Sequence, residues 1–215
     1  MESFMPWSLS QYNLYRKCPA AYDFRHNKKI PDPAGPAAQR GTNVHAQLEY
    51  YLATGEWSGG IRQYTKDKAE QMRKEKYLPE LKLALNDEWE VVDWKDPNAW
   101  VRGVIDAIKI GPTTYMAEWK TGKVYDDHVS QRRLYLCMIL SAYDDIEHGV
   151  IETIYADQDH AQSTELAREK LVHEQQYWLE NVSPMLRDTF FSPRTGGHCN
   201  WCAYSKRKGG PCLVS

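Results

Sequence analysis

Three ionisable residues in two neighbouring segments have the types and spacing of a metal-dependent catalytic site. Asp106 lies in the segment VRGVIDAIKI, and Glu118 and Lys120 lie in the next one, YMAEWKTG. Residues two apart on a strand share a face, so Glu118 and Lys120 project to one side and Trp119 to the other. If the segments pair as antiparallel strands, two carboxylates and a backbone carbonyl meet in a site suited to Mg²⁺ or Mn²⁺. The lysine could then orient or help to deprotonate a water molecule, although a Glu-x-Lys pair is a weak signal by itself.

Cysteines near the end of the chain indicate a second metal site. Cys199 and Cys202 have the C-x-x-C spacing of metal ligands, and Cys212 follows them closely. In a reducing compartment such thiols are more often metal ligands than disulfide partners. The three thiols leave one ligand position open, and a zinc site could be completed there by His198 or by Cys18.

The composition predicts one globular domain over residues 1–215. The chain has 215 residues, 42% of them apolar, which is enough for a core but short for two domains. Lys and Arg number 27 against 29 Asp and Glu, a formal net charge of -2, so a basic coat over the whole surface is excluded. A nucleic-acid partner would have to contact local basic segments, which are Lys17, Arg25, Lys28 and Lys29, residues 62–76, Arg132 and Arg133, and Lys206 to Lys208.

The sequence gives no indication of a membrane partner. Its apolar stretches are too short for a transmembrane helix, and the start MESFMPWSLSQYN lacks the basic and then apolar layout of a signal peptide. We therefore expect a cytoplasmic protein, located in the host cytoplasm if a phage encodes it.

Apolar residues recur at helical spacing in several segments. In the first of these segments, residues 8–25, Cys18 and Pro19 predict a break or kink, and residues 27–39 are predicted to form a loop. Cys137 falls in the apolar stretch LYLCMIL and is expected in the core. The predicted helices cover residues 8–25, 41–53, 61–85 with an interruption near Pro79, 129–142 and 164–190.

Alternating patterns bounded by turn residues predict strands in the middle of the chain. The short turns between the first three strands predict a meander, and the order of elements predicts an α/β (mixed α+β) fold with a small mixed sheet flanked by helices. The predicted strands cover residues 88–94, 100–110, 115–120 and 149–155. The domain is divided into N-terminal helices (1–60), a helical segment (61–86), a catalytic sheet core (87–160), and a long helix with a cysteine-rich tail (161–215).

The order of the motifs along nearly the whole chain resembles that of a known family. SLSQYNLYRKCPAAYDF resembles an opening helix with a cysteine-proline step, and GTNVHAQLEYYL resembles a histidine helix. VRGVIDAIKI and AEWKTGK resemble the aspartate and Glu-x-Lys strands, QRRLYLCMIL the Gln-x-x-x-Tyr helix, and FFSPRTGGHCNWC the approach to terminal cysteines. Together they resemble the PD-(D/E)XK nuclease superfamily, and in particular its RecB-like branch of CRISPR-associated and phage exonucleases. The resemblance implies a restriction-endonuclease-like core.

The resemblance also implies a role for each matching residue. Lys120 would position the attacking water and offset charge that develops at phosphorus. Gln131 and Tyr135, four apart on one helical face, would orient the site or touch the substrate, although Tyr135 could equally be a core aromatic. Glu49 could orient the imidazole of the histidine helix or could be a solvated helix residue. The implied ligands of the Mn²⁺ or Mg²⁺ ion are His45, Asp106, Glu118 and the backbone carbonyl of Trp119.

For the cysteines, the resemblance implies a structural [4Fe-4S] cluster. In the resembling iron-sulfur nucleases a cysteine of the opening helix completes the ligand set, and here Cys18 has the matching position. A cluster on Cys18, Cys199, Cys202 and Cys212 would tie the N-terminal helix to the tail. The segment AYSKRKGGP before Cys212 is longer than in the family, and Zn²⁺ is the alternative metal.

The resemblance therefore implies a divalent-metal-dependent DNA exonuclease that hydrolyses phosphodiester bonds. Its expected substrate is a single-stranded or double-stranded DNA end, and its expected setting is DNA recombination, DNA repair or phage DNA processing. Two alternatives stay open: a catalytically inactive nuclease-like module that binds DNA or acts as a scaffold, and an endonuclease on the same fold. The sequence does not identify protein partners in recombination or replication.

Overall fold

The protein is a mixed α/β domain, described by a computed structural model over residues 6–32 and 35–214. The predicted domain 1–215 and the predicted loop 27–39 also include residues 1–5, 33–34 and 215, which lie outside the described residues. The helices are α1 Leu9–Lys17, α2 Pro19–Tyr22, α3 Pro36–Thr54, α4 Gln63–Lys74, α5 Asp127–Ala142 and α6 Leu171–Arg187. The strands are β1 Leu78–Leu85, β2 Val91–Val92, β3 Val101–Lys109, β4 Thr113–Lys120, β5 His148–Tyr155 and β6 His160–Ala167.

The six strands form one sheet in the order β2-β1-β3-β4-β5-β6. All neighbouring pairs are antiparallel except β4 and β5, which are parallel because α5 carries the chain back across the sheet between them. The predicted mixed α/β class is confirmed. Within the described part of the chain, every helix is too short or too polar to cross a membrane.

The helices pack on the sheet in two separate apolar clusters. The larger cluster joins α1, α5 and α6 to the sheet and contains Cys137, which is fully buried as predicted. The smaller cluster joins α3 and α4 to the sheet around Leu48 and Trp119. The sheet is therefore a middle layer whose two faces are covered by different helices, which fixes α3 and α5 on opposite sides of β4.

The N-terminal helices begin and end at residues that the sequence marks clearly. Ser8 and Gln11 form a capping box at the start of α1. Cys18 is extended, with φ -161° and ψ 108°, and Pro19 is the first residue of α2, so the predicted break is confirmed. Pro36 likewise starts α3, inside the predicted loop 27–39 and before the predicted start at Gly41.

The prediction of a helix over residues 61–85 is wrong in its second half. The chain turns after α4, and residues 78–85 form β1, whose Leu81, Leu83 and Leu85 alternate in sequence as strand residues do. Pro79 is the second residue of β1, near the strand end, where a proline disturbs few ladder hydrogen bonds. Of the predicted strand 88–94, only Val91–Val92 is a strand, and the meander is formed by β1, β3 and β4.

The predicted long helix over residues 164–190 is also wrong at its start. Residues 160–167 form the edge strand β6, paired with β5 along its whole length, and α6 begins only at Leu171. Most β6 positions are polar and partly exposed, as is common for strands that must avoid pairing with other chains. Such a strand lacks the apolar alternation that reveals inner strands.

Arg168, at the junction of β6 and α6, holds the carboxyl end of α5 in place. Its Nε donates to the carbonyl oxygen of Ile146 at 2.6 Å, and its Nη2 donates to those of Leu140 at 3.1 Å and Tyr143 at 2.5 Å. Carbonyl groups at a helix end have no partner within the helix, and a cation there interacts favourably with the helix dipole.

We expect Arg168→Ala to destabilise the domain, because these carbonyl groups would lose a charged donor in a partly buried place. Hydrogen bonds from charged donors contribute about 1.5–3 kcal/mol, which predicts a melting temperature lower by roughly 4–10 °C. Thermal unfolding followed by circular dichroism measures this loss. The exposed neighbour Lys170→Ala is the control, and equal melting temperatures for the two variants would contradict the capping role.

Candidate active site

The sheet opens into a fork between β3 and β4, and the fork is formed by the predicted carboxylates. The ladder pairs Ala107–Lys109 with Tyr115–Ala117 and goes no further. Beyond it, the Asp106 amide donates to Glu118 Oε1 at 3.3 Å, and the Trp119 amide donates to Asp106 Oδ2 at 2.9 Å. These side-chain contacts satisfy backbone groups that the separated strands no longer pair, and they fix both carboxylates at the fork.

Two further predicted residues contact Glu118. Lys120 Nζ lies 3.4 Å from Glu118 Oε2, as expected for residues two apart on one strand face. Gln131 Nε2, on α5, donates to the same oxygen at 2.7 Å. The Glu118 carboxylate is thus oriented by a strand neighbour and by a helix on the α5 face of the sheet.

Tyr135 lies one helical turn after Gln131 and is buried. It faces the Gln131 side chain and the backbone of Val104, and burial together with the Glu118 charge raises its pKa, so the phenol stays protonated. A Cβ on Gly103 would come within 3.0 Å of Cε1 of the Tyr135 ring, so the glycine is what lets this helix approach β3 closely. Tyr135 therefore supports the position of Gln131 from within the core.

Burial makes Glu118 an unusual acid. Its side chain is 2% exposed, and desolvation, followed by repulsion from Asp106, raises its pKa to about 8, against the opposing attraction of Lys120. Two carboxylates held close in a site of low polarity gain most from a nearby cation, because a cation removes both the repulsion and part of the desolvation cost. The donor set thus fits a divalent metal ion.

His45 approaches the fork from α3 on the other face of the sheet. Its Nδ1 lies 3.2 Å from Asp106 Oδ1, so each Asp106 oxygen has one partner. The histidine also lines a pocket of about 280 Å³, together with Asp106, Trp119, Glu49 and Glu80. The predicted ligand residues are therefore brought together, and the Trp119 side chain lies on the α3 face of the sheet in the smaller cluster, opposite to Glu118 and Lys120, as its strand position predicted.

Asp106 and Glu118 direct oxygens at backbone amides in this arrangement. Accordingly, among residues 6–32 and 35–214 no three His, Cys, Asp or Glu side chains converge as a complete metal site. The fork has the right donor types for Mg²⁺ or Mn²⁺, namely carboxylate oxygens, a backbone carbonyl and one imidazole.

Sequence reasoning missed three residues around the fork. Glu80 lies in the part of the chain predicted as helix, so its place opposite His45 was hidden by the wrong element. His128 lines a cleft with Lys120, and its Nδ1 is 3.0 Å from the Tyr155 hydroxyl. Its signal was the spacing of three from Gln131, which puts both on one side of α5. The third, Arg102, lines the same cleft.

The structure assigns other partners to several of the basic residues predicted to contact phosphates. Arg132 is buried and donates to the hydroxyls of Thr164 at 2.8 Å and Thr153 at 3.0 Å, so its predicted role is wrong. Arg133 forms an ion pair with Glu174 at 2.8 Å. Ion pairs also link Arg25 to Asp32, Lys28 to Asp23 and Arg62 to Asp159.

The four cysteines predicted as cluster ligands lie where the tail packs on the N-terminal helices. Cys18 Sγ accepts a hydrogen bond from the Arg194 amide at 3.5 Å, and Cys199 Sγ lies 4.0 Å from the carbonyl oxygen of the same residue. Cys18 and Cys202 line one cavity of about 150 Å³. The backbone amide of Cys212 donates to the carbonyl oxygen of Tyr204 at 3.0 Å, which fixes Cys212 within the tail.

The position of His198 keeps the alternative ligand available. The histidine lines the same small cavity, with its Nε2 3.0 Å from the Arg194 carbonyl oxygen. Cys18, Cys199 and Cys202 are thus brought near one another from both ends of the chain, whereas Cys212 lines a separate cavity with Ala20 and Phe24. Within the described residues, the four thiols are not assembled as a closed metal site. Four thiols with one histidine suit either an iron-sulfur cluster or zinc.

Comparison with known proteins agrees with this architecture. The family model described as PD-(D/E)XK nuclease superfamily matches residues 6–207. A solved structure titled "Crystal structure of SSO0001" is 18% identical with a TM-score of 0.50, over 100% of this chain and 88% of that chain. Another, LHK-Exo in complex with dAMP, is 14% identical with a TM-score of 0.39, over 84% of this chain and 86% of the other. No curated protein matches the chain.

The likeness to SSO0001 is a likeness of fold, whereas the family model identifies the kind of protein. The family model matches the chain from Pro6 into the cysteine-rich tail, and the match includes the fork and the two helices that reach it, α3 and α5. The order of motifs predicted this outcome, and the chain belongs to the PD-(D/E)XK nuclease superfamily.

Proposed function

We propose that this single domain, residues 1–215, is a divalent-metal-dependent DNA exonuclease of the RecB-like branch. The observation that carries the proposal is the pair of hydrogen bonds at the strand fork, from the Asp106 amide to Glu118 and from the Trp119 amide to Asp106, with Lys120 beside them. Membership of a nuclease superfamily supports phosphodiester hydrolysis, and the intact Asp, Glu and Lys set argues against an inactive scaffold. The cytoplasm and DNA recombination, repair or phage DNA processing are the proposed setting.

The residues at the fork divide the chemistry between them. Asp106, Glu118, the Trp119 carbonyl and His45 would hold the ion, and a bound Mg²⁺ or Mn²⁺ supplies Lewis acidity and lowers the pKa of water. Lys120 orients the attacking water and offsets negative charge at phosphorus. Gln131 keeps the Glu118 carboxylate in its orientation through the hydrogen bond at 2.7 Å, and Tyr135 supports Gln131.

The exonuclease mode rests on the resemblance of the ordered motifs to RecB-like exonucleases, and an endonuclease on the same fold is the alternative. Incubation of the protein with end-labelled linear DNA, and with covalently closed circular DNA, separates them. An exonuclease releases label from single-stranded or double-stranded ends and leaves the circle intact. Nicking of the circle at a comparable rate would establish the endonuclease instead.

We further propose that Cys18, Cys199, Cys202 and Cys212 bind a structural [4Fe-4S] cluster. The support is that Cys18 and Cys199 contact the same residue, Arg194, and that Cys18 and Cys202 share a cavity wall. A cluster there would join α1 to the tail and take no part in hydrolysis. Zinc bound with His198 is the alternative.

Substitutions at the fork should separate activity from stability. Asp106→Asn, Glu118→Gln and Lys120→Ala should each lower the rate of DNA cleavage by roughly a hundredfold or more, because each removes charge that acts on the transition state. In EDTA above pH 8, where Glu118 is ionised, Glu118→Gln should be at least as stable as the wild type, since it removes a buried charge that repels Asp106. Exposed Lys123→Ala is the matched control. Cleavage at the wild-type rate by Lys120→Ala would refute the assignment.

His45 should set the preference for Mn²⁺. An imidazole favours Mn²⁺ over Mg²⁺ more than a carboxylate does, so His45→Ala should raise the Mn²⁺ concentration for half-maximal activity by about tenfold or more. Calorimetric titration with Mn²⁺ gives an independent readout of binding. His173→Ala, on the exposed side of α6, serves as the control. An unchanged Mn²⁺ titration would leave His45 as a partner of Asp106 only.

The cysteine proposal predicts a coloured protein after anaerobic purification. Cys18→Ser should lose the broad visible absorbance of an iron-sulfur cluster and lower the melting temperature as much as Cys199→Ser does, because both ends of the chain are released together. Cys137→Ser should keep the colour, since this thiol is buried in the main core. A colourless protein with one bound zinc that survives Cys18→Ser would overturn the cluster and favour His198.

A further inference from the structure

A second cleft adjoins the fork and has more cationic side chains in its lining than the His45 pocket. It measures about 770 Å³ and extends from Lys120 and Gln131 to Arg102 and Trp94. Val104 lines both this cleft and the pocket that holds His45, Glu49, Glu80 and Asp106. The two spaces therefore meet at the fork: the pocket contains three carboxylates, whereas the cleft contains Arg102 and Lys120 with the single carboxylate of Asp127.

Arg102 is the least committed cation in this cleft. Its backbone amide donates to the Trp7 carbonyl oxygen at 2.9 Å, which fixes the residue on β3. Its guanidinium carbon lies 5.4 Å from the centre of the Trp94 ring, and its Nε is buried without a hydrogen-bond partner among the described residues. A buried donor without a partner is costly, and arginine donors match phosphate oxygens well. Arg102 and Trp94 together thus have a donor without a hydrogen-bond partner, among the described residues, beside a flat aromatic ring.

The distance from Arg102 to the fork corresponds to a short run of nucleotides. The half-buried positions 102, 104 and 106 alternate with buried ones, so they share a face of β3. Four residues at about 3.3 Å each put Arg102 roughly 13 Å from Asp106 along the strand. Phosphates along one strand of a duplex rise by about 3.4 Å each, and an unpaired strand is more extended. A phosphate at Arg102 would therefore lie only a few nucleotides from the bond at the fork.

We propose that this cleft binds unpaired DNA, with Arg102 on a backbone phosphate and the Trp94–Arg102 pair as the platform on which a base stacks. Aromatic rings and arginine planes bind single strands in this way because every unpaired base offers a free face, which a paired base inside a duplex does not. The inference rests on the proposed nuclease function and deepens it: the strand that is cut enters the fork single-stranded, from the side of the cleft.

The test measures binding in EDTA, so it does not depend on cleavage. Fluorescence anisotropy of a labelled single-stranded oligonucleotide should give a dissociation constant about tenfold higher for Trp94→Ala and for Arg102→Ala than for the wild type, with partial recovery in Trp94→Phe. Arg102→Ala should also reduce the slope of log affinity against log salt by about one, whereas Trp94→Ala should not. For a blunt hairpin duplex, the dissociation constants of the wild type, Trp94→Ala and Arg102→Ala should agree within twofold.

Tyr115 and Lys109 form a matched control pair at the far end of β3 from Arg102, with the ammonium 5.9 Å from the ring centre. Lys109→Ala should bind the single strand as the wild type does. The inference is overturned if the wild type does not bind the single strand, if Lys109→Ala is as weak as Arg102→Ala, or if the salt slope does not change with Arg102. A protein that binds in this way and cleaves no DNA with either metal would refute the nuclease function and keep the binding site.

Discussion

The separation of β3 from β4 after three paired residues is the constraint on which the rest of the site depends. A sheet that continued to pair would bury Asp106 and Glu118 within a ladder and leave no space between the strands. At this point the carboxylate oxygens of Asp106 and Glu118, and no longer the carbonyl oxygens of the opposite strand, accept hydrogen bonds from the backbone amides. The ladder therefore ends without leaving buried N–H groups unpaired. The same groups that stop the sheet therefore provide the oxygen atoms of the site, and helices on opposite faces reach it with His45 and Gln131.

This arrangement is costly for the folded protein. Glu118 is almost fully buried beside a second carboxylate, and the rise in its pKa records the energy of holding a charge there. Lys120 and the Gln131 amide compensate only in part, because a lysine ammonium at 3.4 Å and a neutral donor cannot replace hydration. A well-packed core of α5 against β3, with Gly103 against the Tyr135 ring, supports the fork. Instability at the fork is offset elsewhere in the domain, as is usual at functional sites.

The sequence predicted the parts of this site that depend on local periodicity. The spacing of two between Glu118 and Lys120, and of four between Gln131 and Tyr135, defines faces of a strand and a helix wherever those elements lie. Contacts between distant segments came only from the family resemblance, since neither composition nor period brings His45 to Asp106.

The missed elements are those whose strand character comes from tertiary pairing. The segment of β1 contains Lys82 and Glu80 among leucines and reads equally well as a helix, and β6 is too polar to show alternation. Glu80 and Arg102 were missed for related reasons, because one lies in a misassigned element and the other acts through Trp94, which sits in a loop. Residues in irregular segments have no period from which their direction can be inferred.

Helix α1 connects the large cleft beside the fork to the region of the cysteines. Its first turn lines the large cleft with Ser10 and Gln11, and its last residue precedes Cys18, whose sulfur contacts the tail at Arg194. Nine residues span about 14 Å as a rigid rod. One rigid helix therefore fixes the distance between the tail contact at Cys18 and the wall of the cleft.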